Sequence, residues 1–126
     1  RCKIQGDKMK YEDIEVGYQG KFTREVSEEV NRKFGELVDD FNPVHFDEER
    51  MKKSIFGRRG TNAFLTESTI GCAIVDMFVD DENCPIVLKK EIKLVAPVFI
   101  GDTVVATVTV KEKKSVMKVV GVIAKF

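Results

Sequence analysis

The sequence predicts an α+β fold, a layer of antiparallel strands covering one long buried helix, and three observations carry that prediction. From Ala63 to about Val79 the chain is apolar over a helical length, and from Ile70 onward only Asp76 is charged, so the second half of that helix should be buried nearly all round. Beyond a polar turn at residues 80–83 the pattern changes. Ile86–Val95, Thr103–Lys111 and Ser115–Phe126 are rich in Val, Ile and Thr, and 103–110 is an almost unbroken run of β-formers. Finally, 126 residues of which 43% are hydrophobic can bury a sizeable core, and without internal repeats or low-complexity segments they are most simply one domain, 1–126.

Taken in order, residues 1–16 carry little pattern beyond a lead-in loop before Gly17. Gly20–Val26 alternates, with Phe22, Arg24 and Val26 on one face and Lys21, Thr23 and Glu25 on the other, as in a short edge strand. Ser27-Glu28-Glu29 then opens a helix: the serine can cap free N–H groups and both carboxylates sit at the positive end of the dipole. Val30, Phe34, Leu37 and Val38 recur at helical spacing, and this helix should end near Asp40. Asp47-Glu48-Glu49-Arg50 repeats the opening for a short helix that stops before Gly57. Thr61-Asn62 offers capping side chains for the long helix, in which Gly71, Cys72 and Ala73 are small enough to let another backbone come close. Pro97 and Gly101 break the connection at 96–102.

Composition excludes several function classes. Lys+Arg and Asp+Glu balance at 21 each, and no basic stripe interleaves with aromatics, so a nucleic-acid partner is not expected. Cys2, Cys72 and Cys84 are odd in number and widely spaced, which fits a reducing compartment, and no metal-ligand spacing occurs. No apolar run reaches membrane-spanning length and the first residues show no signal-peptide core, so a cytoplasmic location is expected, or the mitochondrial matrix in a eukaryote.

The chemistry is concentrated in Asp39-Asp40-Phe41-Asn42-Pro43-Val44-His45, which holds the chain's one histidine beside two carboxylates where a helix must stop. Pro43 has no N–H to give and pushes Asn42 toward extended geometry, so the backbone turns between Asp40 and His45. Such a turn can bring carboxylate and imidazole together as a general acid/base unit. A surface loop whose histidine merely hydrogen-bonds is the alternative reading. Lys52, Lys53, Arg58 and Arg59 form a local basic cluster, either solvated or anion-binding.

Asp40-Phe41-Asn42-Pro43-Val44-His45-Phe46-Asp47 resembles the hydratase signature of the MaoC-like hot-dog proteins, the (R)-specific enoyl-CoA hydratases and 3-hydroxyacyl-thioester dehydratases. Phe56-Gly57, the long apolar helix and Val95-Ala96-Pro97-Val98-Phe99-Ile100-Gly101-Asp102-Thr103-Val104 resemble successive family landmarks, so the likeness covers about Gly17 to Lys113. The resemblance implies a hot-dog fold, an antiparallel sheet wrapped around a central helix, with Asp40 and His45 as the catalytic pair. It also implies an acyl-thioester substrate, coenzyme A or a carrier protein arriving attached to that substrate, no metal or other cofactor, and a homodimer or a trimer of dimers.

Two departures from the family pattern stand out. Asn62-Ala63 occupies the place of a His-Gly pair whose glycine N–H helps hold the thioester carbonyl, and only twelve residues follow Lys114 where the pattern has two long strands. In the mechanism the resemblance implies, Asn42 orients the loop and the Asn62-Ala63 pair meets the thioester end of the substrate; with the carbonyl against the Ala63 N–H, Arg58 and Arg59, a few residues before that helix start, are placed to meet its phosphates. The rival readings are a non-catalytic acyl-thioester-binding protein, through the Asn62-Ala63 change, and a hot-dog thioesterase.

Overall fold

A computed structural model describes residues 10–79, 83–115 and 119–125. After a single 3-10 turn, Tyr11–Asp13, the elements run β1 (Gln19–Glu25), α1 (Glu28–Val38), α2 (Pro43–Phe46), α3 (Glu48–Lys52), α4 (Ala63–Phe78), β2 (Thr103–Lys114) and β3 (Val119–Lys125). The sheet has the order β1-β2-β3. Strand β3 runs antiparallel to β2, from Thr107↔Lys125 to Lys114↔Val119, with an irregularity between Val110 and Glu112. Antiparallel pairing of β1 with β2 follows from its two ends: Gly17 N–H donates to the Val110 carbonyl, while Val26 N–H donates to Asp102 and Gly101 N–H to Val26.

The expected caps are in place. Ser27 Oγ accepts from Val30 N–H at 3.2 Å, and Asp47 Oδ1 accepts from Arg50 N–H at 2.9 Å. Helix α1 ends at Val38, with Asp39 as its C-cap, near the expected Asp40, but its buried face differs from the predicted stripe. Leu37 is 80% exposed and Val38 46%, and the buried face carries Asn31 and Gly35 instead. A further difference lies at 86–95, expected as a strand. Residues 83–98 take no regular structure, and Ile86, Val87, Leu88, Leu94 and Val95 are exposed. β-propensity is weak unless a neighbouring strand and a covered face reward it. Most of the polar turn expected at 80–83, all of residues 1–9, and 116–118 and 126 of the strand expected at 115–126 lie outside the described residues.

The chain divides into two compact units, each drawn from separated stretches of sequence. One comprises Arg1–Thr23, Thr69–Lys90 and Val105–Phe126. Its core is Ile14, Ala73, Met77, Val108 and Val110, with Tyr18, Phe22, Ile70, Ile74, Phe78 and Val120 packed around it. Thus one face of α4 lies on alternate residues of β2, the period-two pattern of 104–110 meeting the helical period. Each such buried aliphatic side chain contributes about 1.5–3 kcal/mol. Elsewhere on α4, Thr66 and Thr69 are buried, Cys72, Val75 and Asp76 are half-buried, and Phe64, Ser68 and Gly71 are exposed. Cys84, outside the helix, is exposed.

The other unit comprises Arg24–Ser68 and Glu91–Val104. Val26, Leu65 and Val104 form its buried centre, with Val30, Phe34 and Val98 against them. All the residues singled out by the sequence for chemistry lie in this unit.

Candidate active site

Helix α1 delivers Asp40 by a sharp stop. Asp39 takes the left-handed conformation (φ 57°, ψ 34°), the one non-glycine residue among those described to do so, and the Asp40 N–H donates to the Gly35 carbonyl at 3.0 Å. The glycine at 35 is needed for a close approach: a Cβ there would lie 2.5 Å from Phe46 Cζ and 3.0 Å from the Asp40 carbonyl oxygen. The chain then turns into α2, with Asn42 at its start accepting from Val44 N–H at 3.1 Å and Pro43 in the first turn, where its missing N–H costs nothing. His45 therefore stands on a short helix, where the sequence suggested only a turn.

That single helical turn aims the imidazole back at the carboxylate. His45 Nε2 lies 3.6 Å from Asp40 Oδ2, with the two side chains 13% and 34% exposed. His45 Nδ1 is 2.8 Å from the Gly60 carbonyl oxygen. A carbonyl can only accept, so Nδ1 carries the hydrogen, and in the neutral ring the Nε2 lone pair points toward Asp40. Asp40 Oδ1 accepts from the Asn42 N–H at 3.1 Å, and Asp40 Oδ2 accepts from Asn62 Nδ2 at 2.5 Å. Asn62, 7% exposed, uses its other end at the start of α4, where Oδ1 accepts from Phe64 N–H at 2.8 Å.

The backbone of His45 is pinned as well. Its carbonyl accepts from Asn31 Nδ2 at 3.1 Å and, more weakly, from Arg59 Nη1 at 3.5 Å. Sequence reasoning singled out neither Asn31 nor Gly60. Asn31 had a signal, a polar residue on the buried side of an otherwise apolar helix face, whereas the role of a backbone carbonyl at Gly60 has none.

The two arginines part company. The Arg59 guanidinium is bound by both oxygens of Glu28 and, at 2.7 Å, by Glu48, with its side chain 16% exposed. The Glu28 hydrogen bonds raise its pKa above the ordinary arginine value, partial burial opposes the rise, and Glu48 adds to it. Arg59 thus ties the first turns of α1 and α3 to the His45 carbonyl. Arg58 is 55% exposed, lies over the Phe99 ring at 3.9 Å, and has Asp102 Oδ1 3.8 Å away. Ala63, the first residue of α4, is half-buried, and no acceptor among the described residues takes its N–H. No cluster of three or more His, Cys, Asp or Glu side chains that could hold a metal occurs among the described residues.

A carboxylate and an imidazole facing one another beside a helix N-terminus, on an α+β scaffold, are chemically able to serve as a general acid/base unit. Residues 11–125 match the family model described as MaoC like domain. The chain belongs to this family, and it has the antiparallel sheet and long central helix of the hot-dog fold. It is 34% identical over 100 residues to an (R)-specific enoyl-CoA hydratase from Rhodospirillum rubrum, covering 79% of this chain and 68% of the relative. It is 29% identical over 102 residues to a 3-hydroxybutyryl-CoA dehydratase from Methylorubrum extorquens, covering 81% of this chain and 64% of that one. The chain thus spans about two thirds of the length of either relative.

Among solved structures, an R-hydratase from Pseudomonas aeruginosa superposes with a TM-score of 0.75 at 27% identity, covering 83% of this chain and 66% of that one. A protein from Archaeoglobus described as a monoamine oxidase regulatory protein gives 0.74 at 31%, covering 85% and 73%. The family and these relatives support a hydratase or dehydratase at the level of the family. No helix among the described residues is long and apolar enough to cross a membrane.

Proposed function

We propose that this protein hydrates trans-2-enoyl-CoA to the (R)-3-hydroxyacyl thioester, or runs the reverse dehydration, with Asp40 and His45 as its catalytic pair. The observation that carries the reading is the 3.6 Å separation of Asp40 Oδ2 and His45 Nε2, with His45 Nδ1 committed to the Gly60 carbonyl. Two acceptor atoms at that separation suit one substrate water at about 2.8 Å from each, donating a hydrogen to both. As the water oxygen bonds to the β-carbon, Asp40 takes one of its protons and His45 holds the other, keeping the oxygen lone pair aimed at the substrate. Charge builds on the thioester oxygen, where the Ala63 N–H at the start of α4 is a suitable donor. The proton taken by the pair returns to the α-carbon, so water adds across the double bond and the pair ends as it began.

The reaction needs no metal or redox cofactor, because coenzyme A or an acyl carrier arrives as part of the substrate. Arg58 remains the candidate for its phosphates, while Arg59 is already occupied by two carboxylates. A homodimer is part of the proposal. The exposed apolar side chains at 86–88 and 94–95 are surface that a second copy would cover. Sedimentation that finds a monomer at micromolar concentration in the active sample would remove that part.

The central test is the loss of enone absorbance from crotonyl-CoA, read beside a free-thiol assay. Asp40→Asn and His45→Gln should each lower the hydration rate about 100- to 10,000-fold with folding unchanged. Either variant keeping more than about a tenth of the wild-type rate would mean that the pair is not the catalytic unit. Release of thiol would point to a thioesterase instead, and neither signal to a non-catalytic binder.

A further inference from the structure

We infer that Asn62 is a positioning residue that acts through Asp40, and not a group that meets the substrate. The inference rests on the proposed hydration with Asp40 as base, and it departs from the expectation that Asn62 contacts the thioester end. Asn62 is 7% exposed, and both ends of its amide are already engaged: Oδ1 accepts from Phe64 N–H at 2.8 Å, and Nδ2 donates to Asp40 Oδ2 at 2.5 Å.

The amide cannot be turned round without loss at both ends. Reversed, Oδ1 would face a carboxylate that only accepts, and Nδ2 would face a backbone N–H that only donates. The helix start therefore fixes which end of Asn62 meets Asp40. Asp40 needs such a partner. It lies just beyond the end of α1, its side chain is 34% exposed, and its other oxygen is held by the Asn42 N–H of its own loop. Two donors from separate parts of the chain, Asn42 N–H on Oδ1 and Asn62 Nδ2 on Oδ2, leave the carboxyl plane one orientation. In it Oδ2 is also the oxygen 3.6 Å from His45 Nε2. Because the donor and the imidazole converge on the same oxygen, Asn62 sets where the base meets the water. A charged acceptor strengthens the bond.

Three variants separate this role from helix capping. Serine and aspartate both cap well, so either retains the start of α4; Asn62→Ser should melt close to wild type, while Asn62→Asp also carries the repulsion of a second carboxylate and is read by its rate. Asn62→Ser is too short to span from the helix start to Asp40. It should lower kcat on crotonyl-CoA by about 10- to 100-fold, with KM changed less than about threefold. Asn62→Asp sets a second carboxylate against the first and should lose more than Asn62→Ser, since two carboxylates at hydrogen-bond distance oppose each other's ionised form. In an Asp40→Asn background, adding Asn62→Ser should change the residual rate less than about twofold, because the group it acts through is gone.

A purely structural asparagine would give the opposite ranking, with Ser and Asp near wild type and Asn62→Ala alone impaired, and that result overturns the inference. So does a loss of kcat in Asn62→Ser that persists in full when Asp40 is already Asn. A rise in KM with kcat unchanged would return Asn62 to substrate binding. Failure of the underlying reading looks different: Asp40→Asn by itself would keep its rate.

Discussion

Gly35 and Gly71 are both interior helical glycines, and they should respond in opposite directions to the same change. A glycine-to-alanine exchange inside a helix gains about 0.5–1 kcal/mol when the new methyl meets open space. At Gly71 a Cβ would have nothing within 4 Å. At Gly35 it would lie 2.5 Å and 2.9 Å from the edge of the Phe46 ring and 3.0 Å from the Asp40 carbonyl oxygen. The ring is the softer neighbour, but it packs at a tilt against Phe41 with centroids 5.5 Å apart, and the carbonyl cannot retreat without tilting the Asp40 backbone. Overpacking of this kind costs about 1–3 kcal/mol, which outweighs the propensity gain and leaves Gly35→Ala destabilised by about 1–2 kcal/mol.

For a chain of this length that is a fall in Tm of about 3–8 °C, against a rise of about 2–4 °C for Gly71→Ala. The displaced carbonyl also turns Asp40 away from His45, so kcat should fall several-fold in Gly35→Ala and stay at the wild-type value in Gly71→Ala. Thermal melts followed by circular dichroism, with crotonyl-CoA hydration on the same samples, give both readings. Equal shifts of Tm in the same direction for the two variants, or a Gly35→Ala enzyme that gains stability and keeps its kcat, would refute the close approach of α1 to the Asp40 turn.

The two arginines predict a division of effects. Arg59→Met should cost about 1–2 kcal/mol, since it leaves Glu28 and Glu48 facing each other without their shared donor, and the solvent exposure of both carboxylates limits the loss. Melting will measure it, and an unchanged Tm would deny Arg59 its bracing role. Arg58→Ala should leave Tm within a degree or two of wild type and raise KM for coenzyme A thioesters several-fold with kcat nearly fixed, as uniform binding does. A kcat effect without a KM effect would place Arg58 elsewhere. At the end of α1, Asp39→Gly relieves the left-handed backbone and should add about 0.5–1 kcal/mol with kcat unchanged, while a lower Tm would show that the Asp39 side chain contributes more than its backbone costs.

Much of the architecture was legible because it depends on neighbours in sequence. Caps act over three residues, so Ser27 and Asp47 could be read directly, and the run of β-formers along 103–110 announced a strand. Even the Asp40–His45 meeting has a local cause, a helix stop and a proline within five residues. What escaped is long-range. Asn62 reaches back 22 residues to Asp40, Arg59 reaches 31 to Glu28, and the Gly60 carbonyl meets an imidazole 15 residues earlier. None of these pairs leaves a periodic trace. Leu37 misled for a related reason. Helical spacing gives the angle at which a side chain leaves the axis, but not where the neighbouring segment lies, and here that segment covers Asn31 and Gly35.

The same distinction explains why the proposed catalytic pair could be named while its control could not. Asp40 and His45 are held by one turn of chain, and that turn alone would leave both side chains free to rotate. Their orientations come from the stretch at 59–62, where three consecutive functions are compressed into four residues. Arg59 braces the His45 carbonyl, the Gly60 carbonyl selects the imidazole tautomer, and Asn62 aligns the carboxylate. The departure from the family's His-Gly pair at Asn62-Ala63 falls inside this stretch. An amide there can cap α4 and donate to Asp40 at once, so the change is compatible with a working pair and need not signal its loss.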